Sequence, residues 1–420
     1  MTMRRVLGLG LVTVALLAGC GGDDDDNGGG PTNAFPADQA QKVVATYKLM
    51  THAVYEDSVA GAKSLQAAID TLVATPTAEN LKAAQDAWVA ARVPYNQNDA
   101  FRFYNGPIDN DPNGPEGSIN SWPLDESHID YTRDVAATGI VNDPTGFASI
   151  TTDVIDGQNG KEGETEVTTG YHAIEFLLWG QDDKVVGTGA GKRPFTDYVT
   201  GATGTAANQD RRGTYLKVAA DLLVADLTEV EEAWEPGKTD NYAASFGVTP
   251  EAGSSTNDGL KDAIANMIRG MGSLAKAELS GERMTVAFKS RDQEDEHSCF
   301  SDNTWHDLYG NGLGIQNVWL GQYKGASLGP GVDTVVRAVD GALADQITAD
   351  IKIAVDGLKA FSDGNATVPF DVVIAEADNS EHRTQMVTII QALKRAADGM
   401  AQGAAKLGLT IELEAPSQDL

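Results

Sequence analysis

Cysteine is nearly absent: the 420-residue chain has two, Cys20 and Cys299. A disulfide framework is therefore excluded, and stability must come from an apolar core. Positive charge is short as well, with 31 Lys and Arg against 61 Asp and Glu, a formal charge of −30. Nucleic-acid binding takes most of its affinity from phosphate neutralisation, so this balance excludes it and describes a field that gathers cations. Tryptophan is sparse, and six residues are too few to single out a sugar- or polymer-binding face around Trp122 and Trp179. Alternating apolar–polar runs are short, so strands are not expected. No EF-hand spacing accompanies Asp23 to Asp26, which excludes the usual calcium loop there.

What is present begins at the N-terminus. Arg4 and Arg5 precede an uncharged apolar run, Val6 to Leu17, and then Leu17-Ala18-Gly19-Cys20. A run this short with a cleavage-like end reads as a targeting segment, not a spanning helix. Leu-Ala-Gly-Cys is similar to the lipobox of bacterial lipoproteins, so residues 1–19 are expected to be removed and Cys20 to carry a lipid anchor. By resemblance to lipoprotein sorting rules, Gly21 in place of Asp points to the outer membrane, facing the periplasm. Residues 20–36 are then a tether. Gly21 to Thr32 contains only Gly, Asp, Asn, Pro and Thr, which have no apolar side chain to bury.

The remaining ~380 residues exceed one ordinary core and suggest two domains. Ala37 to Ala74 has no Pro and repeats apolar residues at Val44, Tyr47, Val54 and Leu65. After Pro76-Thr77, the residues Leu81, Ala84, Trp88 and Ala91 keep helical spacing until Pro94, which should end or bend that helix. Gly106 to Trp122, rich in Gly, Pro, Asn and Asp, reads as loop. Further long helices are expected at about 211–235, 257–279, 331–362 and 379–407. The expected class is all-α, with two helical-bundle domains over 37–242 and 258–410 and a join near Ala243 to Asn257. A faint repeat supports related halves: Ile174 to Gln181 can be laid on Ile315 to Gln322, with Ile, Gly and Gln coinciding. The second copy has Leu313 and Gln316 where the first has His172 and Glu175.

Gly170 to Gly180 carries the chemistry. His172 and Glu175 stand three apart, hence on one helix face, in a segment otherwise made of Tyr, Ala, Ile, Phe, Leu and Trp. Such a helix is buried, and a buried carboxylate must be paired, protonated or bound to a metal. Imidazole with carboxylate suits a transition metal better than calcium or magnesium. The alternative is a His–Glu hydrogen bond that only orders the core. A zincin helix would read His-Glu-x-x-His; here Ala173 follows His172 and no second His lies within the next turn.

Residues 170–182 resemble the Gly-x-His-x-x-Glu signature of the imelysin family. Phe101 to Tyr104, Gly106 to Asp109, Trp122 to Asp125, Asp295 to Thr304 and Gly314 to Gly321 are similar to further blocks of it. The resemblance spans residue 35 to about 410. It implies two four-helix bundles with a site near their interface and a role linked to iron regulation or uptake. The family takes its name from a reported metallopeptidase, so that activity is the alternative. This chain has Trp305 where the family pattern often has a His after Asn-Thr, with His306 next.

The expected metal ligands are His172 and Glu175, completed from a distant segment by His52, Glu56 or Asp99, in that order. Arg92 and Arg102 flank a Pro-bent helix end and are expected to shape the site or bind an anionic group. His297, Ser298 and Cys299 invite a nucleophile–base reading, but neighbours in sequence rarely face each other, and Cys299 reads as a small buried apolar residue. The functional expectation is an envelope protein that captures a transition metal, iron foremost and zinc as alternative, and passes it to an envelope iron-transport component.

Overall fold

The computed structural model describes residues 35–182, 185–187, 189–249, 258–418 and 420. The expected targeting segment, Cys20 and the expected tether through residue 34 lie outside the described residues, as does 250–257 of the expected join. The protein is all-α, with 64% of the chain helical. The long helices are α1 (Ala37–Ala74), α2 (Ala78–Tyr95), α3 (Gly170–Trp179), α4 (Gln209–Trp234), α5 (Asp258–Ser273), α6 (Thr304–Leu320), α7 (Val332–Val339), α8 (Gly341–Gly364) and α9 (Glu381–Lys406). Among the described residues the one β pairing is a two-residue antiparallel ladder, Gln322–Tyr323 with Ala326–Ser327. Its turn places Lys324 and Gly325 at positive φ, the conformation that a tight hairpin demands.

Local signals account for most boundaries. Thr77 caps α2 by accepting from Asn80 N at 3.1 Å, and the helix ends one residue past Pro94. Where one helix was expected over 331–362, two are found. Asp340 leaves helical geometry and its carboxylate caps Leu343 N at 2.9 Å, so local capping overrides the apolar period. The helix expected to stop near 279 instead continues from α5 as a π-helix, Leu274–Thr285, and a last turn, Val286–Ser290. The expected loop 106–122 contains one helical turn, Glu116–Ile119. The two halves of the faint repeat both end a helix on a glycine at positive φ, Gly180 after α3 and Gly321 after α6.

Phe35–Leu420 form one compact unit with two apolar clusters. One holds Val59 to Leu72 of α1, α2, α3 and Tyr215 to Leu227 of α4. The other holds Ala40 to Tyr55 of α1, the end of α4 at Val230 and Trp234, and α5 to α9. Helices α1 and α4 thus belong to both clusters. With 38 residues, α1 extends about 57 Å at 1.5 Å per residue, long enough to serve each in turn.

Candidate functional site

The site is built on α3, all ten residues of which are buried. A fully buried helix must find partners for its terminal carbonyls. Gln85 Nε2 donates to Leu178 O, Tyr198 Oη to Leu177 O and Arg193 N to Trp179 O, at 3.1, 2.6 and 2.7 Å. At the other end Gly170 has φ +77°, and a Cβ there would stand 2.3 Å from the Ile119 carbonyl oxygen. The glycine of the motif is therefore a backbone requirement. Gly170→Ala should lower stability by more than about 1 kcal/mol and disturb the side chains two and five residues on. Denaturant unfolding checks this, and a neutral result would show that the close approach relaxes freely.

His172 and Glu175 meet as their spacing predicts, with His172 Nδ1 2.8 Å from Glu175 Oε2. The other carboxylate oxygen, Oε1, accepts from Ser301 N at 3.0 Å and Ser301 Oγ at 2.7 Å. Burial pushes the Glu175 carboxyl up to about 8 and the His172 imidazole well down, so neither residue carries charge readily. His172 Nε2 is buried and has no hydrogen-bond partner. It is unsatisfied in either tautomer, as a donor without an acceptor or a lone pair without a donor.

A second imidazole packs against the His172 ring. The ring of His297 stands edge-on to His172, centroids 4.8 Å apart, and Trp122 covers His172 from another side at 4.9 Å. His297 Nδ1 lies 3.2 Å from Asp307 Oδ2, which directs Nε2 away from that carboxylate. Burial holds His297 down at about 4, so it is neutral near pH 7. Asp307 also accepts from Arg92 Nη2 at 3.0 Å, Asn96 Nδ2 at 2.6 Å, Asn303 Nδ2 at 2.8 Å and the Ser298 hydroxyl. Burial opposes its charge, yet Arg92 and these donors hold its pKa well below the usual carboxylate range. Each histidine thus has a carboxyl group behind its Nδ1, the kind of partner that orients imidazoles toward metals.

His297 lines a cleft of about 440 Å³ whose walls include Arg102, Glu116, Asn120, Trp122 and Arg283. Arg92, a residue expected to shape the site, does so through Asp307 and by donating from Nη1 to Asn120 Oδ1 at 2.5 Å. Arg102 sits in the cleft wall, paired with Glu116 at 3.0 Å and Asp99 at 3.4 Å.

The other expected ligands are placed differently. Asp99 is buried but engaged, accepting from Arg283 Nη1 and Asn311 Nδ2, each at 2.7 Å. His52 Nε2 pairs with Glu231 at 3.4 Å, and Glu56 is exposed on α1; no contact joins either to His172. Among the described residues no three or more His, Cys, Asp or Glu side chains converge as a metal-binding group. Cys299 is buried, as its neighbours suggest. His306 bonds Ser362 Oγ at 2.6 Å, while Trp305 stacks on Phe361 at 4.1 Å. His297 entered the sequence reading only as part of a nucleophile–base trio that was set aside, and Asp307, Asn120 and Ser301 were not anticipated as site residues. The one available signal was that His297 and Ser301 fall in the same family-like block.

Fold and site together define a class: an all-helical protein with two carboxyl-backed imidazoles buried beside a cleft. The chain belongs to the imelysin family (Peptidase_M75), which it matches over residues 51–400. It is 24% identical over 319 residues to iron-regulated protein A of Synechococcus elongatus, covering 76% of this chain and 72% of that protein. Its fold is similar to a crystal structure from Parabacteroides distasonis assigned as an iron-regulated protein A precursor. The TM-score is 0.65 at 19% identity, covering 91% of this chain and 97% of the other.

Proposed function

We propose that this protein captures a transition-metal cation, iron foremost and zinc as the alternative, through His172 Nε2 and His297 Nε2. The cation is cargo, handed on within the cell envelope. The observation that carries the reading is the buried, unpartnered Nε2 of His172, on a ring whose centroid lies 4.8 Å from that of a second neutral imidazole. This revises the expected role of Glu175. Its oxygens are held by His172 and Ser301, so it orients the imidazole and is not itself a ligand in this geometry. The names of the relatives, both iron-regulated proteins, support iron as the cargo. A lipid anchor on Cys20 would hold the protein at the outer membrane, facing the periplasm and an envelope iron-transport component. No helix of the described residues is long and apolar enough to cross a membrane.

Titration calorimetry with Fe, Zn and Mn tests the reading. His172→Ala and His297→Ala should each weaken binding about tenfold or more, and Glu175→Gln by a similar factor through the misoriented ring. Variants that fold and bind as tightly as wild type would mean that the acidic surface alone collects cations. The family description favours a second reading, a metallopeptidase. It requires a carboxylate free to act as base beside a metal-bound water. Protein hydrolysis lost both on chelation and in Glu175→Gln would establish it.

A further inference from the structure

This inference rests on the metal-capture reading and names the form in which the cargo arrives. His172 is 0% exposed, so a cation reaches it only past other side chains. The two rings packed on it, Trp122 at 4.9 Å and His297 at 4.8 Å between centroids, also line the cleft of about 440 Å³. These two side chains therefore separate the open cleft from the buried imidazole. His297 is 4% exposed and makes its hydrogen bond to Asp307 through Nδ1, which leaves Nε2 outside that bond. It is the imidazole that an ion in the cleft meets first.

The wall of the cleft carries five carboxylates and two guanidinium groups. Both guanidinium groups are engaged, Arg102 by Asp99 and Glu116, Arg283 by Asp99 and Glu278. Neither is left for Glu282 or Asp295, which line the same wall. Glu282 accepts from Ser417 N and Oγ at 2.7 and 2.8 Å, neutral donors that leave its charge in place. The cleft is thus net negative, in a chain whose formal charge is already −30. A recess lined by one sign of charge focuses the field and raises the local concentration of the opposite ion. A cation with an octahedral shell of water takes up about 180 Å³ at ~30 Å³ per water, so the cleft holds it without stripping that shell. An anionic chelate of the same metal is repelled by the same carboxylates.

We propose that the acidic cleft is the entrance to the histidine pair, and that it admits the metal as a free hydrated cation while excluding anionic chelates. Glu282 and Asp295 draw the ion in and hold it through its waters. The ion sheds them as it passes to His297 and His172. Carboxylates and imidazoles then govern different quantities: the first set how fast the ion is captured, the second whether it is kept.

Rapid mixing of the purified full chain with micromolar cobalt(II) chloride tests this. Tryptophan emission is the readout, because Trp122 packs on His172 and bound cobalt quenches it. In wild type the quench should develop at a rate proportional to free cobalt, and at the same concentrations it should be lost in His172→Ala. Glu282→Gln/Asp295→Asn should slow association about fivefold or more in dilute buffer. The difference should close near 1 M salt, where the screening length is about 3 Å. Asp295→Asn alone, which leaves Ser417 its acceptor, should give part of the effect. Glu79→Gln/Asp134→Asn removes two exposed carboxylates outside the cleft and should bind at the wild-type rate. Cobalt supplied as its citrate complex should bind only as fast as free cobalt is released. Unchanged association in the cleft variants, equal slowing in the control pair, or a rate proportional to the citrate complex overturns the entrance proposal alone. No quench in any buffer, or the same quench in His172→Ala, overturns the metal-capture reading and this inference together.

Discussion

Asp307→Ala should lower the stability of the folded protein by about 3–5 kcal/mol, the usual cost of removing one partner from a buried ion pair. Asp307 and Arg92 are 0% and 1% exposed at the side chain. Arg92 is packed among the rings of Trp88, Tyr95 and Tyr171, 4.9–5.6 Å from their centroids. Without Asp307 its guanidinium keeps one side-chain acceptor, Asn120 Oδ1, in surroundings that cannot solvate a charge. Asn96, Asn303, Ser298 and His297 lose an acceptor at the same time. The residue joins α2 to α6 and to the segment before it, so its loss also frees the His297 ring. Guanidinium unfolding of wild type, Asp307→Ala and the double variant Asp307→Leu/Arg92→Met measures this. The double variant should recover much of the loss, since the cost lies in the stranded charge and not in the net worth of the pair. A change below about 1 kcal/mol in Asp307→Ala would show that water reaches Arg92.

The second large effect is expected at Asp130, away from the histidines. Its carboxylate is fully buried and binds two guanidinium groups. Arg212 donates from Nε at 2.6 Å and Nη2 at 2.9 Å, and Arg193 donates from Nη1 at 2.9 Å. Both guanidinium groups lie against the Tyr131 ring, at 5.0 and 5.2 Å. Asp130→Ala leaves two buried cations with Asp197 as the nearby carboxylate, and about 3–5 kcal/mol should be lost. The effect depends on pH with a definite sign. Burial raises the Asp130 pKa, but Arg193 and Arg212 outweigh it and hold the folded value below the ordinary one. Its stabilisation is therefore complete above the unfolded value of about 4 and is lost as pH falls through the folded pKa. The gap between wild type and Asp130→Ala should be constant from about pH 5 to 8 and narrow in stronger acid. A gap that widened on acidification would reverse the assigned sign.

Local elements were legible where one short-range rule acted alone. Ala37–Ala74 was readable end to end because no Pro interrupts a regular apolar set. The break at Asp340 was missed because capping competed with that same period and won. The π-helix over Leu274–Thr285 was invisible for a related reason. An apolar pattern read at 3.6 residues per turn cannot announce a wider turn.

At the site, the sequence alone determined the helical class, the burial of α3 and the meeting of His172 with Glu175. All three follow from rules acting within a few turns of helix. Only the tertiary structure decided that Glu175 lies behind His172 on the Nδ1 side, with Nε2 left unpartnered, because Ser301 holds its other oxygen across 126 residues. It likewise supplied His297, through an Asp307 that Arg92 pairs with across 215 residues. It turned His52 toward Glu231 and away from any ligand role near His172. Contacts of that span depend on how helices pack against one another, and no local spacing encodes them.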